Sequence, residues 1–144
     1  MFEVFEQKDI EEVTEVNKLI CSYHNEPVGV DMEILNSIFD KVNSYNEISD
    51  RRTRIIKKAT HILAGISYNQ PFVEGNRRTS HYLVKNFLGR NLFQLRFYNS
   101  KEEDQFADIL KRTAEEKFED DSTIYSEVEK YLTYKVEDIK FDYL

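Results

Sequence analysis

The residues best suited to chemistry lie in one stretch, Asn69-Gln70-Pro71-Phe72-Val73-Glu74-Gly75-Asn76-Arg77-Arg78-Thr79-Ser80. Pro71 and Gly75 make a tight connection between two segments of helical character. The residue before a proline is pushed out of the helical region, so the first helix should stop near Asn69. The second should start near Asn76. Its first turn leaves backbone N–H groups without partners, and together with the positive end of the helix dipole they attract phosphate. Arg77 and Arg78 add guanidinium forks that suit phosphate oxygens. Glu74 places one carboxylate just ahead of this cationic turn, which suits a divalent ion bridging to a polyphosphate. The residue chemistry points to nucleotide phosphates with magnesium.

The same stretch resembles the Fic/Doc signature H-P-F-x-[D/E]-G-N-[K/G]-R-T, and the Doc (death on curing) toxin branch most closely. Pro71, Phe72, Glu74, Gly75, Asn76, Arg78 and Thr79 match it, and Arg77 stands where Doc-like chains usually have lysine. A contiguous match of this kind is far more specific than a lone glycine-rich pattern. A similar turn, here Val28-Gly29-Val30-Asp31, precedes a leucine-rich helix in Doc-like chains. The leading histidine of the family, its catalytic base, is Gln70 here. An amide has no useful basicity and only orients a hydroxyl by hydrogen bonding, whereas a positioned base contributes roughly 10²–10⁴-fold in rate. Gln70 fits either a natural loss of catalysis with binding retained or an introduced inactivating change.

The resemblance implies ATP as co-substrate, Mg2+ held at Glu74, and phosphates held around Gly75, Asn76, Arg77 and Arg78. In Doc proteins the terminal phosphate passes to a hydroxyl of translation elongation factor Tu, and a separate antitoxin protein laid across the site restrains the toxin. The wider Fic reaction, AMP transfer to a protein Ser, Thr or Tyr, usually involves a further arginine three residues after Arg78, where this chain has His81. That points toward the Doc branch. The restraining helix of other members, [S/T]-x-x-x-E-[G/N], finds only its first half in Thr123 to Glu127, since Val128 follows, and this reads as coincidence. A third reading, from another class, is a non-catalytic module that binds a nucleotide or partner through the old site.

These residues need elements to position them. Asp9 with Glu12 makes a start like a capping box, followed at helical spacing by Ile10, Val13, Val16, Ile20 and Tyr23, and His24-Asn25-Glu26-Pro27 ends that helix. Phe2 to Phe5 reads as a short strand or a packed arm. Asp31 should cap a second helix carrying Ile34, Leu35, Ile38, Phe39 and Val42. A long helix from Ser49 or Asp50 to Asn69 has Ile55, Ile56, Ala59, Ile62, Leu63 and Ile66 as its buried stripe, and Ala64-Gly65 permits close helix packing. After the motif, Tyr82, Leu83, Phe87 and Leu88 form a buried side that ends at Gly89. Residues 91–98 read as an extended link. Ser100 and Glu103 suggest a second capping box ahead of Phe106, Ile109 and Leu110. A last helix begins near Ser122 with Ile124, Val128, Tyr131 and Leu132, and residues 134–144 read as a loosely packed tail. The expectation is one all-α domain, 1–144, of about six helices. In Fic/Doc folds the region between the second and central helices holds a flap that docks the target backbone. Residues 41–49 are the candidate, with allowance for a short β-hairpin; a plain surface loop is the alternative.

Composition bounds the rest. With 144 residues, 40% apolar and 13% aromatic, the chain has material for one real core, and only four glycines and two prolines interrupt helices. The net charge of −7 argues against general nucleic-acid binding. Arg51, Arg52, Arg54, Lys57 and Lys58 nevertheless cluster, and read as the solvated face of a helix. Cys21 is the sole cysteine, which excludes an internal disulfide. His24 and His61 lack neighbours at metal-ligand spacing and read as surface or packing histidines. The opening MFEVFEQKD has neither a basic region nor an apolar run, and no stretch approaches membrane-spanning length, so a cytoplasmic setting with no membrane association is expected.

Overall fold

The computed structural model describes residues 3–97, 99–115 and 121–140. Among them are six α-helices: α1 (Gln7–Tyr23), α2 (Met32–Asn43), α3 (Arg51–Asn69), α4 (Asn76–Arg90), α5 (Ser100–Glu115) and α6 (Asp121–Lys135). Two short strands, β1 (Phe93–Leu95) and β2 (Val136–Asp138), pair antiparallel with Phe93 opposite Asp138 and Leu95 opposite Val136. The all-α expectation holds. No helix among the described residues is long and apolar enough to cross a membrane.

The central element is α3, which packs against α2, α4, α5 and α6. A helix surrounded by others should be buried on every side. Accordingly Ile55, Ile56, Ala59, Ile62, Leu63 and Ile66 are all buried, and so are Lys58, Thr60 and Ser67 between them. Gly65 lets α2 approach, because a Cβ there would stand 3.0 Å from the Ile38 Cγ2. Asp50 caps α3 by accepting from the Thr53 N–H at 2.9 Å, and Asp31 caps α2 by accepting from Glu33 and Ile34.

Several expectations are corrected. α1 starts at Gln7 rather than Asp9; Asp9 serves instead as the third helical residue, accepting from the Glu6 N–H at 2.8 Å. Its buried face runs through Ile10, Val13, Asn17 and Cys21, while Tyr23, expected inside, is 84% exposed. On α4, Val84 is buried and Tyr82 faces out. That helix passes Gly89 by one residue, and Leu92 takes the left-handed turn after it. Asn99, one residue before Ser100, caps α5 by accepting from the Glu102 N–H. Residues 41–49 form no hairpin: α2 runs to Asn43 and a 3-10 turn (Ser44–Glu47) follows. Of the expected loose tail, Lys135 and Val136 are buried and β2 closes on β1, while 141–144 lie outside the described residues, as does Phe2 at the other end.

The cation cluster is not a solvated face. Arg51 donates to the Asn91 carbonyl and lies over the Phe93 ring, and Arg52 donates to the carbonyls of Thr133 and Val136. Arg54 pairs with Glu3 at 2.6 Å and Lys57 with Glu129 at 2.7 Å. The Lys58 ammonium, fully buried, donates to the Glu3 carbonyl at 2.6 Å and to Asn46. Burial lowers its pKa, and so does Arg54, while Glu3 opposes the shift. These side chains fasten the N-terminal arm, the 3-10 turn and β2 to α3.

Candidate active site

The connection from α3 to α4 is closed by two left-handed residues. Gln70 (φ 49°, ψ 63°) caps α3, its N–H donating to the Ile66 carbonyl at 3.0 Å. The proline rule foresaw that the helix ends here, yet the exit is left-handed rather than extended. Gly75 (φ 78°) precedes α4 and offers no side-chain cap, so the N–H groups at the start of α4 have no partner among the described residues and are available to an anion.

Between them the loop is fixed mainly by backbone. Val30 and Phe72 form an antiparallel bridge; the Asp31 N–H donates to the Pro71 carbonyl at 2.7 Å, and the Val73 N–H to the Gly29 carbonyl at 3.0 Å. Phe72 is buried and anchors the loop in the core. The Asn76 amide closes it, accepting from the Phe72 N–H at 3.0 Å and donating to the Phe72 carbonyl at 2.8 Å. Asn76 is therefore neither the N-cap nor a free side chain, and what it has left for a phosphate is its backbone N–H and the second N–H of its amide.

The other site residues project outward. The side chains of Gln70, Glu74 and Arg77 are exposed and have no hydrogen-bond or ion-pair partner among the described residues. Arg78 is ion-paired with Glu26 of the α1–α2 connection. The structure thus brings Gln70, Glu74, Gly75, Arg77 and Arg78 onto one loop and helix start. Two residues that sequence reasoning missed support it from beneath: Asn17 and Cys21 of α1 both lie against the Glu74 carbonyl, at 2.9 and 3.4 Å. A polar residue interrupting the α1 apolar face was the available signal for Asn17.

Among the described residues no group of three or more His, Cys, Asp or Glu converges into a metal cage. A single exposed carboxylate beside free N–H groups fits magnesium carried by a polyphosphate, which keeps most of its own ligands.

Beside the loop, a cleft of about 960 Å³ runs between α2, α3 and α6. Its lining includes Asp31 and Asn69 at the loop end and Lys41 and Tyr45 at the other. In its wall His61 bonds the Tyr45 hydroxyl at 2.8 Å and stacks on Tyr125 with ring centroids 4.6 Å apart. Burial first, then Lys41 and Lys57, push its pKa down to about 4, so the ring is neutral near pH 7. His81 packs edge-on to Phe106, and its pKa is lowered by burial. On α6, Glu127 pairs with Arg112.

A model of the Fic/DOC family matches residues 5–88. No curated protein and no solved structure matches the chain.

Proposed function

The chain belongs to the Fic/DOC family, a family of nucleotide-binding transferases in general, and from that premise we propose that it is a Doc-like toxin domain that binds ATP at the α3–α4 loop. The observation that carries the reading is the start of α4: free N–H groups behind Gly75, with Glu74, Arg77 and Arg78 around them. Phosphate oxygens would be received by these N–H groups and by the two guanidinium forks. Glu74 would hold a magnesium ion shared with the phosphates, which supplies charge neutralisation when bound.

The transfer is of the terminal phosphoryl group to a protein hydroxyl, elongation factor Tu being the target the Doc resemblance suggests. The hydroxyl oxygen bonds to the γ-phosphorus, the bond to the bridging oxygen breaks, ADP leaves, and the hydroxyl proton must go elsewhere. Gln70 stands where the proton acceptor belongs and has no basicity to take it, so the proton passes to solvent and the rate falls. Since phosphoryl transfer depends largely on positioning and charge stabilisation, slow turnover is compatible with the remaining residues. The cleft between α2, α3 and α6 would give a target segment a route to the loop. His81, in place of the further arginine, disfavours AMP transfer.

Gln70 also favours a second reading, a pseudoenzyme that retains nucleotide or antitoxin binding without catalysis. Calorimetric titration with ATP, with and without Mg2+, tests the binding that both readings share. Binding that needs Mg2+, weakens in Glu74→Gln and is lost in Arg78→Ala supports the site. Equal affinity in all three proteins would remove it.

A further inference from the structure

Asn17 lies in the middle of α1, in a face otherwise made by Ile10, Val13 and Cys21, and it is 1% exposed. A buried amide must find partners for both N–H bonds, since an unpaired donor there is costly. Its Nδ2 donates to the Glu74 carbonyl at 2.9 Å and to the Thr79 hydroxyl at 3.1 Å. Its Oδ1 faces the Cys21 thiol at 3.7 Å. The two acceptors bracket the first turn of α4. Glu74 immediately precedes the left-handed Gly75, and the Thr79 N–H makes the first helical bond of that turn, to the Gly75 carbonyl at 2.9 Å. A Cβ at position 75 would stand 3.2 Å from the same Asn17 nitrogen and 3.3 Å from the Cys21 sulfur.

We infer that Asn17 is a positioning residue of the anion site: from α1 it clamps both ends of the α4 first turn and so aims the free N–H groups of residues 76–78. The inference rests on the proposed ATP site for its functional part. The left-handed backbone already favours glycine at 75, and the clamp crowds any side chain there further. It acts on the direction of the donors and touches no ligand itself. Fully buried Thr79 is the other half of the device. The short chain of bonds from α1 through Asn17 to Glu74 and Thr79 makes the geometry of the site depend on a helix outside the motif.

The test uses Asn17→Ala, Thr79→Val and the double variant, with Leu132→Ala as a control that removes a buried side chain of α6. Thr79→Val nearly keeps the shape and removes the hydroxyl that accepts from Asn17, so it stays informative if Asn17→Ala folds poorly. Inorganic phosphate and Mg-ATP are titrated calorimetrically, thermal midpoints are recorded, and hydrogen exchange is followed at the amides of residues 79–82, whose bonds close the first turn of α4. Expected are faster exchange at these amides in both variants and an affinity loss of about tenfold or more in Asn17→Ala. Thr79→Val should fall between, and the double variant should be no worse than Asn17→Ala, because both cut one connection. Leu132→Ala should lower the midpoint and leave affinity and the 79–82 exchange unchanged. Exchange at 79–82 unchanged in both variants would overturn the inference whether or not a ligand binds. So would affinity that merely follows the thermal midpoint across all four proteins. Wild type that takes up neither probe would count against the ATP reading alone, and the exchange data would still decide the clamp.

Discussion

Arg78, in the first turn of α4, is ion-paired with Glu26, which sits just ahead of Pro27 in the α1–α2 connection. The pair is partly exposed, with side-chain accessibilities of 44% and 28%, so its value to stability is at most about 1 kcal/mol. Its importance lies in charge: an anion that reaches Arg78 has to compete with a carboxylate already there. Glu26→Gln should therefore leave the thermal midpoint nearly unchanged and tighten binding of inorganic phosphate or ATP by several-fold to roughly tenfold. Calorimetry checks this. Weaker binding in the variant would show that Glu26 holds Arg78 in place for the ligand.

Gly75→Ala combines two penalties. The backbone is at φ 78°, and the added Cβ would press on Asn17 and Cys21. Together they should cost about 1–3 kcal/mol. Denaturant unfolding measures the cost, and phosphate binding should fall with it because the α4 start must shift to relieve the contact. An unchanged midpoint would mean that α1 yields at this point.

The histidines make stability pH-dependent. Folded His61 titrates at about 4, below its unfolded value of 6.5, because burial disfavours the cation and Lys41 and Lys57 repel it; Glu129 acts the other way. Between these values the unfolded chain binds more protons than the folded one, so stability falls as pH drops from 6.5 toward 4 and levels off below. His81, lowered by burial and Lys85 against Glu103, adds to the same slope. Midpoints recorded across this range should show the loss, and His61→Gln should remove part of it. A slope identical in wild type and His61→Gln would place the effect elsewhere.

Much of the fold is legible from punctuation. Asp31, Asp50, Pro71 and Gly75 each mark an element end by local chemistry, and α2, α3 and α4 begin where those residues put them. What depends on partners far along the chain is not legible. β1 and β2 are three residues each and meet across 40 intervening positions, so neither has a hydrophobic period of its own. Arg52 and Lys58 look like solvent cations until the carbonyls of Val136 and Glu3 arrive beside them. The site divides in the same way. Gln70, Glu74, Gly75 and Arg78 lie within one short run and are legible there as a group. Asn17 and Glu26 reach them only through the packing of α1 on α4, and the turning of the Asn76 amide onto Phe72 is a property of the closed loop.

If Gln70 alone disables phosphoryl transfer, as proposed, a histidine at position 70 should restore it. The most direct measurement is label transfer by the wild-type protein and by Gln70→His, each given magnesium, ATP labelled on either the alpha or the gamma phosphate, elongation factor Tu and a cell lysate. Gamma label should pass to a protein acceptor, faint or absent with wild type and stronger with Gln70→His by roughly 10²–10⁴-fold. Alpha label would make the protein an AMP-transferase. No label from either protein, in the presence of measurable ATP binding, would contradict the claim and leave a binding module.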